Sequence, residues 1–126
     1  MRGLLAGMFA GLLALAGSPR AGEAHAALVR STPPARATVT APPRRITLTF
    51  SEPLEPAYSR VAVWDAAGTQ VDLRDAAVNR DDPRVLGVSV PPLVPGQYTV
   101  RYRVLSVDGH VVESNFSFRV GSARHP

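Results

Sequence analysis

The sequence predicts an all-β fold, a seven-stranded antiparallel β-sandwich. Three observations carry this expectation. Apolar and polar residues alternate with period 2 in one short segment after another, the pattern of half-buried strands. The 12 prolines punctuate the chain too often for long helices, and helical periodicity is absent. At 126 residues, the chain is long enough for one domain and not for two.

The elements follow in order along the chain. Residues 27–31 form a short first strand, ended by Thr32, Pro33 and Pro34. Ile46, Leu48 and Phe50 alternate with Thr47 and Thr49 in the second. Val61 and Val63 lead to Trp64 and a turn at residues 65–68, with Val71 and Leu73 as the return arm of that hairpin. Residues 74–83, rich in Asp and Asn, read as a surface loop. Leu86, Val88 and Val90 mark the next strand, and residues 91–96, rich in proline, make a sharp connector. Tyr98, Val100, Tyr102 and Val104 alternate with Thr99, Arg101 and Arg103. Phe116, Phe118 and Val120 alternate with Ser117 and Arg119 before a frayed tail at 121–126. Seven short strands separated by turn signals suit a sandwich.

Residues 1–24 are set apart from the fold. Arg2 supplies a positive start, and the apolar run at 4–16 is short for a membrane span. Small residues and Ser18-Pro19 follow, which is the layout of a secretory signal peptide. Cleavage after Ala24 leaves His25 as the first residue of the domain, 25–126. Cleavage after Ala26 satisfies the same small-residue rule and discards that histidine. An exported chain without cysteine must stand on its own core.

Composition excludes several chemistries. Without cysteine there is no disulfide scaffold, thiolate zinc site, iron–sulfur cluster or cysteine nucleophile. All 14 basic residues are Arg, so a Schiff-base lysine and a phosphate-loop lysine are ruled out. A net charge of +4 is too weak to argue for nucleic acid. No serine sits on a strand-to-helix elbow, and no glycine-rich loop opens a helix.

The chain has three histidines, His25, His110 and His125, the last in the polar tail. Asp108-Gly109-His110 falls in the loop before the final strand. Residues two apart can face one way, and Gly109 lets the backbone bend between them. Alone, these residues also suit an ordinary turn. His25 changes the weighing. A free N-terminal histidine offers an amine and an imidazole to one metal ion. With His110 that makes three nitrogens, and Asp108 adds an oxygen. Such a set suits Cu(II) in a tetragonal geometry.

At this point the chain resembles the periplasmic copper-resistance proteins of the CopC type. The resemblance rests on His25-Ala26-Ala27-Leu28-Val29-Arg30-Ser31-Thr32-Pro33, on Phe50-Ser51-Glu52-Pro53, and on Ser106-Val107-Asp108-Gly109-His110 followed by Phe116-Ser117-Phe118-Arg119-Val120. It implies a Greek-key sandwich of the Ig-like or cupredoxin-like kind. It also implies a Cu(II) site made of His25, Asp108 and His110, with Glu52 in the place of the family's nearby acidic residue. Better-known members carry a Met-rich loop for Cu(I). Here the only methionines are Met1 and Met8, so that second site is expected to be missing.

The resulting expectation is a periplasmic, monomeric protein that sequesters or delivers Cu(II) in copper homeostasis or resistance, and not an enzyme. Its membrane partner is expected to be a separate inner-membrane copper transporter. Two alternatives stand beside it: a histidine-brace copper oxygenase, and a metal-free sandwich used for protein contacts. The oxygenase needs an open position for oxygen, which the Asp108 oxygen donor would occupy.

Overall fold

In the computed structural model, residues 26–122 are described. The signal peptide expected at 1–24, His25 and His125 lie outside the described residues. Eight strands form two four-stranded sheets. They are β1 (Leu28–Thr32), β2 (Thr38–Val39), β3 (Arg45–Phe50), β4 (Arg60–Asp65), β5 (Ala77–Val78), β6 (Val85–Ser89), β7 (Gly96–Leu105) and β8 (Val111–Val120). One sheet runs β1-β3-β6-β5 and the other β2-β8-β7-β4. Neighbours within each sheet are mostly non-consecutive, as a Greek-key sandwich requires.

The alternation read from the sequence sets which side chains face inward. Ile46, Leu48 and Phe50 of β3 are buried, with the threonines between them turned outward. Tyr98, Val100, Tyr102 and Val104 of β7 meet them from the other sheet, together with Phe118 and Val120 of β8. Phe50 stands edge-on to Tyr102 with ring centroids 5.3 Å apart, and Tyr98 stacks on Phe118 at 5.6 Å. Such pairs add about 0.5–1.5 kcal/mol beyond their buried area. The Tyr98 hydroxyl donates to the Val94 carbonyl at 2.6 Å, which ties the proline-rich connector to the core.

Three details differ from the sequence reading. Residues 71–73 do not form a strand. Trp64 and Gln70 make an isolated bridge, and Val71 N–H bonds the Val63 carbonyl at 2.8 Å. The ladder then stops because the buried Asp72 carboxylate takes the Val63 N–H, at 2.8 Å, in place of a backbone carbonyl. Two-residue strands β2 and β5 add to the count, β5 inside the expected 74–83 loop. Finally, β2 pairs with β8 in parallel, so the sandwich is antiparallel except at that one short pair.

Asp72 also accepts from Gln70 Nε2 and from the Arg74 N–H. Asp72→Ala should lower stability by about 2–4 kcal/mol, because it leaves a buried N–H unpaired and removes charge-assisted bonds. Urea unfolding should show a lower midpoint at unchanged slope. An unchanged midpoint would mean that water replaces the carboxylate at no cost.

Candidate metal site

The loop between β7 and β8 is closed by its own backbone. Ser106 N–H donates to the His110 carbonyl at 3.0 Å, and Gly109 N–H to the Ser106 carbonyl at 2.8 Å. Gly109 has φ 95°, a left-handed conformation that glycine adopts without a Cβ penalty. This tight turn brings Asp108 and His110 together, with His110 Nδ1 3.2 Å from Asp108 Oδ1. Both side chains remain partly open to solvent, at 37% and 45% exposure.

Ser106 organises the pair. It is fully buried at the end of β7 and bridges to Leu54. Its hydroxyl donates to Asp108 Oδ1, the same oxygen that meets His110. These two bonds, Ser106 first and His110 second, hold the Asp108 carboxyl below its ordinary pKa. The carboxylate is thus an anion fixed in place at neutral pH. In the tautomer whose Nδ1–H donates to Asp108, Nε2 carries the ring's lone pair, the arrangement seen in carboxylate–histidine–metal triads.

A second segment reaches the same end of the molecule. Beyond β3, residues 51–55 cross from one sheet toward the other. Ser51 N–H bonds the Ala27 carbonyl and Ser51 Oγ accepts from Ala27 N–H, both at 2.9 Å. Two residues on, the Pro53 carbonyl accepts from Val107 N–H at 3.0 Å, and Glu55 N–H bonds the Leu105 carbonyl at 2.8 Å. One five-residue stretch therefore ties Ala27, just before β1, to the Asp108–His110 loop. Ala26 itself is fully buried. Glu52 sits in the middle of this stretch and is half-buried.

Asp108 and His110 are thus brought together, as the sequence suggested. Glu52 does not complete a cluster with them: among the described residues, no group of three His, Cys, Asp or Glu side chains is placed to hold a metal ion. Sequence reasoning missed Ser106. Its signal was the serine two residues before Asp108, but its role depends on the bridge to Leu54.

The CopC domain family matches residues 28–121. The chain belongs to the CopC family. It is similar to Protein YobA of Escherichia coli strain K12, at 39% identity over 98 residues that cover 77% of this chain and 79% of that protein. Solved structures agree with this membership and with the all-β sandwich. CopC from Methylosinus trichosporium OB3b superposes with a TM-score of 0.74 at 38% identity, covering 81% of this chain and 99% of that one. PcoC, a methionine-rich copper resistance protein from Escherichia coli, gives 0.69 at 31% identity, covering 77% and 99%. Within the CopC family, this chain's two methionines both fall in residues 1–24.

Proposed function

We propose that this protein is exported to the periplasm, binds one Cu(II) as cargo through His25, Asp108 and His110, and sequesters it or hands it on. The observation that carries the reading is the Asp108–His110 pair, set by Gly109 and Ser106 and tied through residues 51–55 to Ala27. Consecutive Cα atoms lie about 3.8 Å apart, so His25 is only two residues along the chain from Ala27, which that tie holds beside Ser51. The amine and imidazole of His25 supply two nitrogens, and His110 a third. Asp108 gives an oxygen or orients the His110 ring, and Glu52 borders the site. Copper as the metal is supported by family membership and by the name of the similar protein PcoC, a copper resistance protein. The oxidation state is argued from the donors, which are hard or intermediate and contain no sulfur.

Two measurements test this reading. Intact mass of the exported protein should show a chain starting at His25. A chain starting at Ala27 would remove two of the three nitrogens and sink the assignment. Copper titration should then saturate at one equivalent with a tetragonal, nitrogen-rich EPR signal. No intense blue charge-transfer band is expected, because no thiolate is present.

A further inference from the structure

The outward face of the β2-β8-β7-β4 sheet carries charge that its own residues do not balance. Arg60 of β4 stands directly opposite Arg103 of β7, and one row further Arg101 lies opposite Ala62. Like charges directly opposed across strands are destabilising. Arg103 is in turn opposite Glu113 of β8, with 3.9 Å between Nε and Oε2, both well exposed. On these two rows Glu113 is one carboxylate against three guanidinium groups. The short side chain of Ala62 leaves an open depression of about 650 Å³, walled by Arg60, Arg101, Arg103, Glu113 and Asn115.

This basic depression adjoins the candidate copper loop. Arg103 is two residues from Leu105, the last residue of β7, a distance of about 7 Å along a strand. The next row on the same face is Leu105 opposite Val111. Around it Tyr58, Val107 and Val111 are exposed at 61%, 54% and 50%. Tyr58 closes the short 3-10 turn at Pro56–Tyr58, whose preceding Glu55 N–H bonds Leu105. An apolar tip therefore surrounds the loop, with an arginine-rich floor behind it. Arg and Tyr are the residues most enriched where protein interfaces carry their binding energy.

We propose that this surface docks an acidic protein surface that exchanges copper with the chain, an inference that rests on the copper reading above. Charge complementarity selects an acidic partner. A protein is favoured over an anionic membrane because the planar guanidinium forks line a depression that protruding carboxylates can enter and pair with bidentately. Docking here sets the partner beside Asp108 and His110, so copper passes between ligands without crossing open solvent.

The test uses metal-free, ¹⁵N-labelled protein and a ten-residue glutamate-rich peptide at low salt. The amides of Ala62, Arg101, Arg103 and Val111 should shift on titration. The triple variant Arg60→Gln/Arg101→Gln/Arg103→Gln should bind the peptide at least about tenfold more weakly, given a few-fold per exposed ion pair. Arg80→Gln/Arg84→Gln, in a loop of the other sheet, should bind it like wild type. Raising the salt to about 1 M should abolish the shifts. Equal weakening in both variants, or no shift at these amides, would overturn the proposal. So would capture by phosphatidylglycerol vesicles without peptide binding, or saturation of the same amides by inorganic phosphate at equal affinity. Because the peptide is titrated without metal, peptide binding in a protein that fails to take up Cu(II) would sink the copper reading and leave the docking surface standing.

Discussion

Replacing His110 by alanine should weaken Cu(II) binding by more than about 100-fold, beyond the 10–100-fold typical of losing a partner behind a metal ligand. The expectation follows from how few donors there are. Among the described residues Asp108 and His110 stand as a pair and no third ligand joins them. In the proposed site the remaining donors come from His25, so losing His110 leaves a single imidazole on the metal. The substitution should leave the fold intact. The turn is closed by Ser106 and Gly109 through backbone bonds, and the His110 side chain is 45% exposed. Surface changes of this kind stay within about 0.5 kcal/mol. An equal loss should follow when one residue is added before His25, because the amine becomes an amide and no longer binds metal at neutral pH. Competition titrations against a Cu(II) chelator check both variants beside wild type. Wild-type affinity in either one would show that the ligand set is wrong.

How far the sequence revealed this molecule depended on the length of each signal. Long alternating runs such as Tyr98 to Val104 needed no structure, because every second residue had to enter one core. Two-residue strands such as β2 and β5 carry no period at all. Their pairing is set by where the neighbouring strands leave an edge. Val71 and Leu73 showed the alternation of a strand, but the intervening Asp72 is buried and bonds Val63 through its side chain, which ends the ladder. At the site, Asp108 and His110 were legible because a glycine between two ligand-type residues is a local pattern. Ser106 was not, since its importance comes from an isolated bridge to a residue far away in sequence, Leu54. The arginine depression was hidden for the same reason. Arg60 and Arg103 become neighbours only through the β4-β7 register.

Reducing the copper-loaded protein with ascorbate should release its metal, and this is the second large effect. Cu(I) is soft and prefers thioether and thiolate sulfur. The chain has no cysteine, and its two methionines are Met1 and Met8, within the residues proposed to be removed on export. PcoC, which shares the fold at a TM-score of 0.69, is by contrast described as methionine-rich. Once residues 1–24 are removed, the donors left here are imidazole, amine and carboxylate. The Asp108 carboxylate, held ionised by Ser106 and His110, is a hard ligand suited to the divalent ion. Taking away one unit of metal charge therefore weakens the carboxylate and amine bonds and offers no sulfur in return. An anaerobic competition with a Cu(I)-specific chelator, run after Cu(II) loading is verified by EPR, should transfer the full equivalent. A species holding one copper in each oxidation state should not form. Tight retention of Cu(I), or a second bound equivalent, would reveal a sulfur-free site elsewhere, and His125 in the C-terminal tail is the first residue to replace in looking for it.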